Sequence, residues 1–297
     1  MSKNVFVYNS LIFMKGITIY MTNWLQNTTV IITGASGGLG KGLAQTLIRD
    51  FGCKVIGIAR NEQKMRAVKA ELGSLADNFT YYLFDVSKEE NWVDFAKTLA
   101  DNNIQPDVLI NNAGILPKFD KFGNYTLDYV RFAMDINFYA SVYSMHYLMP
   151  VILRSEKAAV INIASSAALC ALAGTSVYTA SKAALKGLTE AVREEYRDEC
   201  YVGLVCPGFT KTDIFSNQGD QANAGSKAID AVSTSCETMV RKIIHGISNK
   251  KSLMVYGADA VLMNDGNKLL PVQTSRVSSK VMKMSKMPLF DNVFKKD

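Results

Sequence analysis

Tyr178 and Lys182 stand four residues apart in Val177–Glu199, a segment whose apolar residues recur at helical spacing. Four residues is about one helical turn, so both side chains share a face. A phenol ionises near pKa 10, too high for a base at neutral pH. A lysine cation beside it favours the phenolate. Such a tyrosine can give or take a proton at a carbonyl or alcohol oxygen. Ser165 lies 13 residues before Tyr178, at the end of an apolar run, where its hydroxyl can hold the same oxygen. Asn137, in the long helical segment Leu127–Arg154, is placed to anchor a water that passes protons to Lys182.

A second constellation lies upstream. The apolar run Thr28–Thr33 leads at once into Gly34-Ala35-Ser36-Gly37-Gly38-Leu39-Gly40 and then an amphipathic helical pattern. A glycine turn between a strand and a helix lets backbone approach a dinucleotide pyrophosphate, and the helix start offers free N–H groups. The next apolar run ends Ile58-Ala59-Arg60. An acid at that strand end would accept bonds from the ribose hydroxyls, whereas an arginine pairs with a 2′-phosphate. Arg60 therefore favours NADP(H), with NAD(H) as the alternative. The third run ends Phe84-Asp85-Val86, with Asp85 set to meet the adenine edge. The fourth ends Asn111-Asn112-Ala113-Gly114, small and amide-bearing where a strand end faces the cofactor.

The elements that must carry these residues alternate along the chain. Apolar or β-branched runs at Thr28–Thr33, Lys54–Ala59, Phe79–Phe84, Asp107–Ile110, Ala159–Ile163, Tyr201–Val205 and Leu253–Tyr256 read as strands. Helical spacing occupies Leu39–Asp50, Gln63–Leu72, Glu89–Asn102, Leu127–Arg154, Val177–Glu199 and Ala228–Ser248 between them. The runs lack strict alternation, as strands buried on both faces do. The pattern predicts a single-domain α/β Rossmann fold, with a doubly wound parallel sheet of about seven strands and helices on both faces. The domain is expected over 25–260, between an N-terminal extension (1–24) and a basic C-terminal tail (261–297).

Composition narrows the classes. Of 297 residues, 48% are hydrophobic and 20% charged, a globular balance. The five cysteines, Cys53, Cys170, Cys200, Cys206 and Cys236, are scattered and form no C-x-x-C. They argue against a disulfide framework or structural zinc and for a reducing, cytoplasmic setting. Two histidines, His146 and His245, exclude a multi-histidine metal centre. The net charge of +6 sits at the ends, with +5 in residues 267–297 and +2 in 1–24. A nearly neutral body argues against a nucleic-acid partner. Val5–Met21 is apolar but carries Asn9 and Lys15 and is too short for a confident membrane span. It reads as an extension, as sequence ahead of a start at Met21, or as an anchor.

With these residues in order, the chain resembles the classical short-chain dehydrogenase/reductase family. The resemblance rests on Thr33-Gly34-x-x-x-Gly38-x-Gly40, Asn111-Asn112-Ala113-Gly114, Asn137, Asn162-Ile163-Ala164-Ser165, Tyr178-Thr179-Ala180-Ser181-Lys182 and Pro207-Gly208-x-x-x-Thr212. It implies that Tyr178 is the acid/base, that Lys182 lowers its pKa and binds the nicotinamide ribose, and that Ser165 orients the substrate. Asn137 would complete a proton relay. Asn111 and the glycine turn (Gly34, Ser36, Gly37, Gly38, Leu39, Gly40) would hold the cofactor. So would Asp85, Val86, Asn112, Ala113 and Gly114, with Pro207, Gly208, Thr210 and Thr212 at the carboxamide. No metal is implied, and a homodimer or homotetramer through Leu127–Arg154 and Val177–Glu199 is. Two positions depart from the pattern. Gly37 stands where NADP-preferring members often carry a basic residue, and Ala164 stands where the family usually has serine.

The small apolar stretch Ala167–Ala173 suits a hydrophobic ketone or secondary alcohol, steroid- or bile-acid-like by analogy. The polar segment Asp213–Ala231, with Asn217, Gln218, Asp220, Gln221 and Asn223, reads as a lid over it. The tail around Val281–Met287 mixes methionine with lysine. It suits a membrane surface, a partner subunit or a solvated end. Two other functions stay open: a non-catalytic dinucleotide sensor, which would be expected to lose Tyr178 or Lys182, and an epimerase or dehydratase, which would show no net redox change.

Overall fold

A computed structural model describes residues 11–14, 17–20, 23–212 and 233–294. A short antiparallel hairpin, β1 (Leu11–Met14) with β2 (Ile17–Tyr20), precedes the body. The rest of the 1–24 segment up to residue 22, the lid segment Asp213–Ala231 and the start of the Ala228–Ser248 helix lie outside the described residues.

The body is a seven-stranded parallel sheet. In chain order its strands are β3 (Thr29–Thr33), β4 (Lys54–Ala59), β5 (Phe79–Leu83), β6 (Val108–Asn111), β7 (Ala159–Ile163), β8 (Tyr201–Pro207) and β11 (Leu253–Tyr256). The small pair β9 (Thr210–Lys211) and β10 (Thr234–Ser235) stands apart from it. Spatial order is β11-β8-β7-β6-β3-β4-β5. The chain winds outward from β3 to β5, then returns across to β6 and winds the other way. The crevice above the carboxyl ends of β3 and β6 is where such a sheet takes a ligand.

The strands are apolar on both sides because both sides are covered. Val30 and Ile32 face a layer with Leu43, Leu47, Val240 and Ile243, from α1 (Gly38–Phe51) and α7 (Cys236–Ser248). Ile31 and Leu109 face the other layer, with Trp92, Phe95, Leu148 and Val192. Those come from α3 (Glu89–Asp101), α5 (Ala140–Ile152) and α6 (Ser176–Glu195). A buried polar chain fixes the strand ends behind the crevice. Asn111 Nδ2 donates to Asn162 Oδ1 (2.9 Å), Asn162 Nδ2 to Thr189 Oγ1 (2.9 Å) and Ser144 Oγ to Asn111 Oδ1 (2.7 Å). Satisfied buried networks of this kind specify register.

One element differs from the sequence expectation. Leu127–Arg154 is not one continuous α-helix: α4 (Leu127–Met134) passes through a π-helical turn (Asp135–Tyr139) into α5. Such turns concentrate at functional sites, and this one carries Asn137. Residues beyond 260 are largely helical, as α8 (Ala258–Leu269), α9 (Pro271–Ser285) and a terminal turn (Asp291–Phe294), and their end returns to the body.

Candidate active site

One cavity of about 380 Å³ opens above the carboxyl ends of the strands. Its floor is the turn after β3. Gly34 adopts φ 67°, a left-handed conformation that favours glycine. Its N–H donates to Ile58 O (2.8 Å). A Cβ at Gly40 would lie 2.3 Å from Gly34 O, so this glycine serves the close approach of α1 to the turn. Ser36, Gly37, Gly38 and Leu39 line the cavity as expected; Gly40 does not. Across the crevice, Thr33 Oγ1 accepts from the amides of Asn112 and Ala113 (2.9 Å each), and Asn112 Nδ2 donates to Thr33 O (2.9 Å). Asn112, Ala113 and Gly114 line the cavity. Asn111 lies outside the lining, its side chain spent on Asn162 and Ser144, so it holds the sheet rather than facing a ligand.

One end of the cavity is charged. Arg60 Nη1 lies 3.6 Å from Asp85 Oδ2, and the Arg60 side chain is 62% exposed. Burial works against the Asp85 charge. The amide and hydroxyl of Ser87, with Arg60, nevertheless hold its carboxyl below its ordinary value. Lys64 lines the same end and was not singled out in the sequence. Its signal is the spacing Arg60-x-x-x-Lys64: Asn61 Oδ1 caps α2 (Glu62–Glu71) by accepting from Lys64 N (2.9 Å), which starts the helix beside the strand end. Val86 adds an apolar wall.

The other end carries the titratable groups. Ser165 follows β7, with its Oγ accepting from Ala167 N (3.2 Å) and hydrogen-bonded to Tyr178. Tyr178 and Lys182 come from the first turns of α6. Lys182 Nζ donates to Ile163 O (3.1 Å) and lies 6.0 Å from the Tyr178 ring centroid. Ser165, Tyr178 and Lys182 all line the cavity. The electrostatics differ from the sequence expectation. Burial pushes the Tyr178 phenol up, opposed by the Ser165 bond, and burial pushes Lys182 down to about 8. Desolvation is the largest influence on both groups.

Asn137 reaches this centre through its neighbours. Its Oδ1 accepts from Ile115 N (2.7 Å), and its Nδ2 donates to Ile115 O (3.0 Å) and Ser181 Oγ (3.1 Å). A Cβ on Gly114 would lie 3.2 Å from both Asn137 Oδ1 and Lys182 Nζ. The amide is thus engaged at both ends in holding the loop after β6 against Lys182.

Pro207, Gly208, Thr210 and Thr212 line the far rim, with Phe209. Asp259, another residue not singled out in the sequence, fixes this rim. Its Oδ2 accepts from Phe209 N (2.9 Å), and Gly208 packs so closely that a Cβ there would overlap the carboxylate. Burial raises its pKa, opposed first by the Phe209 N–H bond. Its signal was an acid in the first turn of the helix after the last strand. Leu116, Phe119, Ala167 and Leu172 give the Tyr178 end an apolar lining, of which the sequence offered Ala167 and Leu172.

The cavity therefore suits an elongated ligand, with backbone and cations at one end, and a phenol, a hydroxyl and an ammonium on an apolar wall at the other. The glycine cradle matches the requirements of a dinucleotide.

The short chain dehydrogenase family model matches residues 28–223. An NADPH-dependent pterin aldehyde reductase of Arabidopsis thaliana is 30% identical over 76% of this chain and 93% of that protein. A 3beta-hydroxysteroid dehydrogenase of Eggerthella lenta is 31% identical over 64% of this chain and 74% of its own length. Among solved structures, the closed form of serine dehydrogenase complexed with NADP+ superposes with a TM-score of 0.67 at 26% identity, covering 73% of this chain and 88% of that one.

Proposed function

Because the chain belongs to the short chain dehydrogenase family, we propose that it is an NADP(H)-dependent oxidoreductase interconverting a hydrophobic ketone and its secondary alcohol. The observation that carries the reading is the convergence of Ser165, Tyr178 and Lys182 on the apolar end of a cavity whose other end carries Arg60 and Lys64. When bound, the nicotinamide supplies or accepts the hydride. Tyr178 gives its proton to the carbonyl oxygen in reduction and takes it from the alcohol in oxidation. Ser165 donates to the same oxygen and holds it beside Tyr178. Lys182, with a pKa of about 8, remains mostly protonated at pH 7 and lies near the charge that develops on the phenolate. Asn137 keeps Gly114 and Ile115 seated against Lys182.

Arg60 and Lys64 favour a 2′-phosphate. The Asp85 partner of Arg60 is a loose, exposed ion pair that contributes little and gives way easily. The apolar lining favours a ring ketone, and the likeness to a 3beta-hydroxysteroid dehydrogenase supports a polycyclic one. Exposed Leu127, Phe132 and Tyr139 support a homodimer or homotetramer through the α4–α5 region. Five free cysteines support a cytoplasmic setting. Among the described residues no helix is long and apolar enough to cross a membrane.

Fluorescence titration of NADPH and NADH into the parent and Arg60→Ala tests the cofactor half. NADPH is expected to bind the parent about tenfold or more tightly than NADH, with most of that margin gone in the variant. NADH binding as well or better sinks it. Consumption of NADPH with ring ketones tests the reaction. Product formed without net oxidation marks an epimerase or dehydratase, and binding without any turnover marks a sensor.

A further inference from the structure

Beyond α9 the chain runs back to the cavity. None of the residues of α9 is buried, yet Leu289 and Phe290 just after it are, at 0% and 6% exposure. They form one cluster with Leu116, Phe119, Ala167 and Tyr178, and those four also line the cavity. The Phe290 ring meets Phe119 edge-on, with centroids 5.2 Å apart. Val293 presses on Gly174: a Cβ there would lie 2.4 Å from a Val293 methyl, and Gly174 sits at φ 80°. The returning segment is thus seated against both loops that build the apolar end, the one after β6 and the one after β7.

Leu116 and Phe119 stand on neither strand nor helix. Backbone ladders do not set their depth in the cavity, so the side chains packed behind them do. Resting on the ketone–alcohol reading above, we propose that Leu289 and Phe290 are specificity-determining residues: the C-terminal turn is the back wall of the substrate end and sets the largest ring system that fits against Tyr178. Removing volume at Phe290 lets Phe119 retreat. The site then loses contact with small ketones and gains room for large ones.

The experiment uses full-length Phe290→Ala saturated with NADPH, with cyclohexanone and a four-ring steroid ketone as substrates. The cyclohexanone kcat/KM is expected to fall about tenfold, mostly through KM, while the steroid ketone is unchanged or improved. NADPH affinity is expected to stay within about twofold. Phe290→Leu should fall between, and it carries the same comparison where the alanine variant does not fold. An equal loss on both ketones, or no change in their ratio, overturns the proposal. A parent that reduces no ketone sinks the oxidoreductase reading instead. The wall is then decided by anilinonaphthalene sulfonate binding to the NADPH-saturated proteins. Tighter binding to Phe290→Ala by about tenfold upholds it, and equal affinity overturns it.

Discussion

The two ends of the cavity are built by different physics. At the Arg60 end the walls are strand ends of one sheet, and the decisive contacts are made by backbone: Gly34 N to Ile58 O, and the Asn112 and Ala113 amides to Thr33. At the far end of the Tyr178 wall, side chain packs on side chain from three distant segments, through Phe119, Ala167 and Phe290. The first end is set by sheet geometry and tolerates few residue types; Gly40 has no room for even one carbon. The second is set by side-chain volume, so its shape can change while the sheet stays as it is. Ser165, Tyr178 and Lys182 lie where the two meet.

The largest expected effect separates chemistry from both ends. Tyr178→Phe removes the phenolic proton and keeps the ring that shares a cluster with Leu289 and Phe290. The rate of ketone reduction should fall about 10³-fold, within the range for a lost general acid. NADPH affinity measured by titration should move less than about threefold. A parallel collapse of cofactor binding would break the division into two ends.

The same division decides what a reader of the sequence can see. The cofactor end is written in contiguous motifs, Gly34–Gly40 between a strand and a helix and Asp85 and Asn112 at strand ends, and at the junction Tyr178 and Lys182 stand one turn apart. Each motif follows from one local element, and the element order supplies the rest. The direction of Asn111 was not legible, because adjacent residues at a strand end point to opposite sides and only packing shows that its side chain turns to Asn162. The π turn at Asp135–Tyr139 left no mark in the hydrophobic spacing. Lys64 and Asp259 were hidden because a charged residue in a first helical turn looks the same whether or not a ligand or a loop faces it. Leu289 and Phe290 were out of reach. A basic segment suits a membrane surface, a partner subunit or solvent alike, and nothing local says that its end folds back some 110 residues to Tyr178.

Lys182 sharpens the comparison through stability. In the cofactor-free protein its pKa is about 8, against an ordinary value of 10.5 when unfolded. Between those values the unfolded chain holds more proton, so stability rises with pH across about 8 to 10.5. Below 8 both states are protonated and the buried cation costs about 3 kcal/mol. Lys182→Met escapes that cost but loses the bond to Ile163 O, worth about 1 kcal/mol. Denaturant unfolding at pH 7 should therefore find the variant about 2 kcal/mol more stable. The margin should shrink above pH 8 and reverse at about pH 9.5. A variant less stable at pH 7 would mean that Lys182 is a structural member of the Arg60 end rather than a strained group held for chemistry.

The smallest effect concerns a contact between the late part of the chain and the cofactor rim. Asp259 accepts the Phe209 amide through Oδ2, while its Oδ1 is buried without a partner. The bond needs an acceptor and no charge, and burial already disfavours the charge. Asp259→Asn keeps an acceptor oxygen, and its amide nitrogen occupies the place of an oxygen that accepts nothing, so NADPH affinity should hold within about twofold. Asp259→Ala frees the Phe209 amide and leaves space beside Gly208. The rim should loosen and the KM for NADPH rise about fivefold, the value of one neutral hydrogen bond near 1 kcal/mol, with kcat nearly unchanged. Loss of kcat in the asparagine variant would show that the carboxylate charge matters at the nicotinamide end. The rim would then depend on electrostatics supplied from outside the strand-end motifs, and the cofactor end would be less self-contained than its motifs suggest.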